Sequence, residues 1–241
     1  MTEFPWIAKY PKGVPARIDP DRVANIPALL DDIAEKHPNA PVFTNMGVTL
    51  TAKESQSLSC DLAGYLQSLP GMQKGDRVAI MMPNLLQYPI ALFAILRAGF
   101  IVVNVNPLYT ARELEHQLKD SGAKAIIIIE NFAKTLERVL THTPVKHIIT
   151  TQVGDLFPFM KRTIVNTVVK HVKKMVPEWH LPGAVDFRQR RPGFEHLLCA
   201  THPAAVFTDN KNIAADRQQR KQVHQLELGF RLVFRPVVNE R

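Results

Sequence analysis

The sequence predicts an α/β protein, a parallel sheet with helices on both faces, followed by an irregular C-terminal tail. Three observations carry this expectation. Short apolar runs alternate with longer segments of helical period, which is the pattern of βαβ units. The apolar runs, Ile126 to Ile129 above all, lack the alternation of a strand with one wetted face, so both of their faces are covered. Helix boundaries are marked by residues that cap them: Thr51 with Glu54, Thr110 with Glu113, and Gly122.

Taken in order, Ile26 to His37 reads as a helix with Leu29, Leu30 and Ile33 on one side, stopped by Pro38. Val42 to Leu50 reads as a hairpin turning near Gly47. A helix runs from Ala52 to Leu69, its stripe Leu58, Leu62, Tyr65, Leu66 and Leu69 recurring at three and four residues. After a turn at Gly71 to Asp76, a buried strand covers Arg77 to Met82. Asn84 is expected to cap a helix reaching about Ala98, with Gly99 as its stop. Phe100 to Val105 is the next strand, and the capping box at Thr110 opens a helix ending at Ser121-Gly122. Ala123 to Ile129 is a strand, Asn131 to Leu140 a helix and Val145 to Thr150 a strand. The pattern does not reveal strand order.

Lys161 to Val176 differs in kind. Ile164, Val165, Val168, Val169, Val172, Met175 and Val176 make a helical apolar stripe. Lys161, Arg162, Lys170, His171, Lys173 and Lys174 surround it, with no acidic residue in the stretch. A basic amphipathic helix can lie on an anionic membrane surface, which makes Lys161, Arg162, Lys170, Lys173 and Lys174 candidates for lipid contact. The competing expectation is a surface helix packing its valine face on the sheet.

Composition narrows the class. The chain has 241 residues, two cysteines and a formal net charge of +8. Cys60 and Cys199 match no metal or redox spacing, which excludes a disulfide-stapled scaffold. No apolar run approaches the roughly 18 residues of a membrane span. The N-terminus lacks the basic and apolar regions of a signal peptide, so a cytoplasmic setting is expected. Charge divides unevenly along the chain. Residues 1–189 carry 21 Lys+Arg against 17 Asp+Glu, and residues 190–241 carry 9 against 5. Lysine dominates the first part and arginine the second, so they read as different kinds of sequence.

The search for catalytic chemistry returns mostly absences. The closest two glycines are four apart, so no Gly-x-Gly exists to turn several N–H groups toward one phosphate. His142 and His147 straddle Pro144 and share no helix face, and no serine sits in a Gly-x-Ser-x-Gly elbow. Asp31-Asp32 and Asp19-Pro-Asp21 read as solvated turn or helix-start residues. Asn104, Asn106, Pro107 and Tyr109 follow a strand end, where α/β sheets place ligands. Turn and cap roles are the stronger expectation for them.

Two long segments add a resemblance. Lys74-Gly-Asp-Arg-Val-Ala-Ile-Met-Met-Pro-Asn through Leu96-Arg-Ala-Gly, and Val102-Val-Asn-Val-Asn-Pro-Leu-Tyr-Thr-Ala-Arg-Glu through Ser121-Gly-Ala, resemble the N-terminal part of bacterial long-chain fatty acyl-CoA synthetases, AMP-forming adenylating enzymes. The likeness extends upstream to Tyr10-Pro-Lys-Gly-Val-Pro and downstream to Val176-Pro-Glu-Trp-His-Leu-Pro-Gly-Ala-Val-Asp-Phe-Arg. It implies an N-terminal subdomain over residues 1–189 and an unrelated tail over 190–241. The family uses ATP and Mg²⁺ to form an acyl-adenylate from a fatty acid and then transfers the acyl group to CoA; its long-chain members act at the inner membrane face.

The resemblance breaks after Arg188. Relatives reach a Tyr-Thr-Gly-Gly-Thr-Thr-Gly-type phosphate loop there, whereas this chain continues Gln189-Arg-Arg-Pro-Gly-Phe. The catalytic lysine and the C-terminal domain are missing as well. No catalytic, cofactor-binding or metal-binding residue is therefore carried over, and none of ATP, Mg²⁺ and CoA is expected to bind this chain well. The expected origin of the tail is a frameshift or rearrangement in a synthetase gene, and the alternative is a genuine short accessory protein with its own tail. Within the matched part, Ala52 and Ser55 replace an aromatic residue and a leucine, a change expected to cost about 2–4 kcal/mol at buried sites. The alternative is a non-catalytic membrane- or acyl-chain-binding module. Nucleic acid is not an expected partner, since no groove-reading motif accompanies the charge.

Overall fold

The computed structural model describes residues 5–19 and 23–188, so the whole of the 190–241 tail lies outside the described residues, as does Asp21. Helix α1 (Ile26–Lys36) begins at Asn25, whose Oδ1 accepts the Ala28 N–H at 3.0 Å. Strands β1 (Pro41–Asn45) and β2 (Val48–Thr51) form the expected hairpin. Its two turn residues, Met46 and Gly47, both have positive φ (49° and 72°), the geometry that matches the twist of the flanking strands.

Helix α2 (Ala52–Gln67) opens on the expected capping box. Thr51 Oγ1 accepts the Glu54 N–H, and Glu54 Oε2 accepts the Thr51 N–H at 2.8 Å. Ala52 and Ser55 are fully buried, and the Ser55 hydroxyl donates to the Thr51 carbonyl at 2.8 Å. These two small side chains therefore occupy interior positions.

Strand β3 (Arg77–Met81) leads into α3 (Gln87–Arg97), and here the expectation needs correction. Asn84 does not cap this helix. Leu86 stands at the N-cap without a side-chain bond, while the Asn84 carbonyl accepts from Asn45 Nδ2 of the hairpin. Residues 82–86 run as an irregular loop that delays the helix by one turn. Strand β4 (Ile101–Asn104) and α4 (Ala111–Ser121) follow, the latter with both halves of the Thr110/Glu113 box formed. Gly122 ends α4 in the left-handed region at φ 62°. Strand β5 (Ala125–Ile129), α5 (Ala133–Val139) and β6 (His147–Thr151) complete the regular part. Helix α6 spans Phe159–Thr167, and a two-residue strand β7 (Val185–Asp186) was not anticipated.

The sheet order is β4-β3-β5-β6-β7, with every pairing parallel. Alternate side chains feed two cores, as the pleat dictates. Val78, Ile80, Ala125, Ile127 and Ile129 face α2 and α3, whereas Ala79, Met81, Ile126 and Ile128 face α4 and α5. Helix α3 is itself sandwiched between the sheet and α1–α2, so Ile90, Ala91, Ala94 and Ile95 are all fully buried. Each fully buried isoleucine contributes about 1.5–3 kcal/mol, which makes β5 the densest source of stability in the sheet.

Two ion pairs pin this frame. The Arg97 guanidinium binds Asp31 through two bonds of 3.0 and 2.7 Å, and Gln56 Nε2 donates to the same carboxylate. Asp31 is thus not the solvated residue its neighbours suggested; it joins α1, α2 and α3. Asp32 does fit that reading, pairing with Lys36 on the surface of α1. Lys124 meets Asp76 at 2.8 Å, tying the start of β3 to the start of β5.

Candidate functional site

Chain direction across the sheet reverses between β4 and β5, on either side of β3. Open α/β sheets bind ligands at the carboxyl ends of their strands, close to such a switch point. At the carboxyl ends of β5 and β6 the structure holds a polar cluster that strand periodicity alone could not reveal. Glu130 follows directly on the isoleucine strand and is only 5% exposed. Its carboxylate lies 3.8 Å from Lys170 Nζ. Burial raises its pKa, opposed by the Lys170 charge and by a Gln152 hydrogen bond, with the Asp155 and Asp186 charges reinforcing burial.

Asp155 lies beside it, equally buried. Its carboxylate accepts from the Gln152 N–H at 2.7 Å and from Thr151 Oγ1 at 2.8 Å. Burial pushes this carboxyl upward too, against those two bonds and the Arg188 charge. Asn166 of α6 accepts the Gly154 N–H at 2.8 Å and donates to Gln152 Oε1 at 2.7 Å. A Cβ on Gly154 would stand 2.9 Å from Asn166 Oδ1, so the loop after β6 touches α6 closely. Fully buried Gln87, at the start of α3, donates to the Gln152 carbonyl at 2.7 Å.

These groups bond chiefly to one another. The cluster straps α6 across the carboxyl ends of β5 and β6, and its net character is acidic. Among the described residues, no group of three or more His, Cys, Asp or Glu is arranged to hold a metal ion. The residues past β4 act as turn and packing groups. Asn104 Oδ1 accepts the Tyr88 hydroxyl at 3.0 Å, and Asn106 Oδ1 accepts the Leu108 N–H in a local turn.

The five basic candidates separate into two groups. Lys161 donates to the Met46 carbonyl of the hairpin turn, with its ammonium 5.7 Å from the Phe157 ring centroid. The Arg162 guanidinium lies 5.3 Å from the Phe159 ring centroid. Lys170 is drawn to Glu130. Lys173 and Lys174 remain exposed beyond the helix.

The helix itself also departs from expectation. The α-helical bonding ends at Thr167, and Val168–Val172 continue as a π-helical turn that carries Lys170. Lys174 then adopts positive φ (49°) and breaks the path. The valine face does not simply pack on the sheet. Val165 joins the core, while Phe159, Met160, Ile164, Val172 and Met175 are each more than half exposed. Among the described residues, no helix is long and apolar enough to cross a membrane.

Comparison with known proteins places this geometry. Residues 30–206 match the AMP-binding enzyme family. A long-chain-fatty-acid–CoA ligase of Salmonella typhimurium is 56% identical over 183 residues, covering 76% of this chain and 33% of the relative. The Bacillus subtilis protein of the same name is 37% identical over 164 residues, covering 68% of this chain and 29% of its own length. The chain thus spans about a third of the length of the curated relatives it matches. Among solved structures, the acetoacetyl-CoA synthetase of Streptomyces lividans superposes with a TM-score of 0.50 at 16% identity. That match covers 68% of this chain and 24% of the synthetase, a likeness of fold.

Proposed function

The chain belongs to the AMP-binding enzyme family, and we propose that it is the N-terminal part of a long-chain fatty acid–CoA ligase. The observation that carries this reading is the 56% identity maintained over 183 residues. The intact enzyme would join a fatty acid to CoA at the expense of ATP, in the presence of Mg²⁺, in the cytoplasm.

The described residues do not themselves fit a nucleotide triphosphate. Glu130 and Asp155, two buried carboxyls past the ends of β5 and β6, would oppose a polyphosphate, and their partners are already engaged. No step of the reaction is assigned to this chain's side chains. Its role would be structural: the sheet and its helices form the base on which the nucleotide-binding part of the enzyme rests. The proposed division is residues 1–189 as this base and residues 190–241 as a tail of different origin.

Fatty-acid-dependent ATP–pyrophosphate exchange on the purified chain should stay at background, and robust exchange would overturn the inactivity. A chimera tests the family role itself. Residues 1–189 joined to the remaining two-thirds of the Salmonella typhimurium ligase should restore long-chain acyl-CoA formation; a folded but inactive chimera would contradict the reading. The coding DNA after codon 189 should encode a Gly/Thr-rich loop in another frame, and its absence from both would exclude a simple frameshift.

One observation supports a second role, peripheral contact with an anionic membrane. Exposed Phe159, Met160, Ile164, Val172 and Met175 share one stretch of chain with exposed Lys173 and Lys174, with no acidic residue between Phe159 and Val176. Sedimentation with anionic liposomes should weaken several-fold in a Lys173→Glu/Lys174→Glu variant. Unchanged binding would remove the helix from the account.

A further inference from the structure

Residues 167–178 are held differently from the chain on either side of them. Asn166 before them is bonded into the loop after β6, and Trp179 after them packs on the core shared with α4 and α5. Among the described residues, no side chain between these two points is buried. Besides the helical bonds that continue α6, two polar contacts among the described residues tie the segment to other elements. Lys170 Nζ lies 3.8 Å from the Glu130 carboxylate, and Asn131 Nδ2 donates to the Met175 carbonyl at 3.0 Å. An ion pair of that length, with its lysine side chain 47% exposed, is a weak tie.

Both contacts come from one place. Glu130 and Asn131 are consecutive in the single turn that follows β5, and Phe132 next to them packs against both cores, so the turn is fixed to the sheet. The segment they hold is irregular. Val168–Val172 form the π-helical turn, a rare geometry that recurs at functional positions. Lys174, at φ 49°, takes a backbone conformation that persists only where neighbouring contacts hold it. Within the segment, the Lys173 N–H bonds to the Val168 carbonyl at 2.7 Å and the Met175 N–H to the Val169 carbonyl at 3.0 Å.

We infer that residues 167–178 are a strap buckled to the carboxyl end of β5 by Glu130 and Asn131, which opens as a unit between Asn166 and Trp179 while the sheet stays folded. Segments with few buried apolar contacts open locally at far lower cost than the core. Opening withdraws Lys170 from Glu130 and leaves that buried carboxyl facing Asp155 and Asp186 without its cation. The exposed side chains Val172, Lys173, Lys174 and Met175 are thereby linked to the strand end, the part of an α/β sheet where ligands bind. The inference depends on neither the ligase nor the membrane reading.

Amide hydrogen exchange on the full chain tests it. The Lys173 and Met175 amides should be protected in the unaltered protein, and Lys170→Met or Asn131→Ala should speed their exchange by at least about fivefold while β5 and β6 keep their rates. Adding Glu130→Gln to Lys170→Met should bring little more, because the two charges act through each other; a full second increment would overturn the role of Glu130. Trypsin should cut after Lys173 or Lys174 several-fold faster in Lys170→Met. Exchange of Lys173 and Met175 at unfolded-chain rates in the unaltered protein would overturn the proposal, since no closed strap would exist. Rates that either single substitution leaves unmoved, or that rise equally in β5 and β6, would overturn it as well.

Discussion

Individual buried charges do much to decide how this chain behaves. Arg97 is almost enclosed, and its charge is balanced by Asp31. Asp31→Ala would strand a guanidinium in the interior, and urea denaturation should show a loss of about 3–5 kcal/mol. Glu130 acts in the opposite sense. Its folded pKa lies above the ordinary 4.5, so the native state holds that proton more tightly than the unfolded chain does. Stability linked to Glu130 therefore rises as pH falls from neutral through the folded pKa, and is lost as pH rises again. Asp155 has the same sign. Asp76 has the reverse: burial pushes it up, but the Lys124 hydrogen bond, the Gln73 N–H and the Lys124 and Arg77 charges together hold it below 3.8. Its contribution is present at neutral pH and disappears only as pH falls through that lowered value. Urea midpoints of Glu130→Gln measured at pH 5 and pH 7 should differ less than those of the unaltered chain. An identical difference would show that Glu130 does not titrate in this window.

At the scale of elements, boundaries written by local chemistry were legible in the sequence. Both capping boxes and the Gly122 stop lie where the residues indicated, because each needs partners only three or four positions away. Gly122→Ala should cost about 1–3 kcal/mol in thermal or urea unfolding. The new Cβ would take a left-handed conformation 2.6 Å from an Arg77 nitrogen, displacing a side chain that donates to the Ser121 and Gly122 carbonyls. What was not legible depends on distant chain. Asn84 resembles a cap, yet the hairpin residue Asn45 engages its carbonyl. Asp31 sits beside Asp32 like a surface residue, but its partner Arg97 is 66 positions away. Glu130 and Asp155 carried no motif, since their environment is made by the loop after β6 and by α6. Strand β7, two residues long, is too short for any periodicity to register.

For the whole molecule, exposed apolar surface sets the behaviour in solution. Ile164 on α6 and Val172 in the π-helical turn after it have more than half of their surface in water, in a segment with other exposed apolar side chains. Sedimentation velocity should show concentration-dependent association of the purified chain. Ile164→Gln with Val172→Gln should suppress it while changing unfolding free energy by no more than about 0.5 kcal/mol each. Association unaffected by these changes would point to the sheet edges instead.

The strand order also bears on how the chain is made. Strand β3 is the first of the five to leave the ribosome, and it becomes an inner strand with β4 on one side. From β5 onward each newly synthesised strand joins the same outer margin: β5 beside β3, β6 beside β5, β7 beside β6. Nothing already laid down need be reopened to admit the next piece. Domains fold from the N-terminus during synthesis at a few residues per second, so this architecture can consolidate by accretion. A chain that spans about a third of the length of its relatives can therefore cover both faces of the sheet with apolar cores.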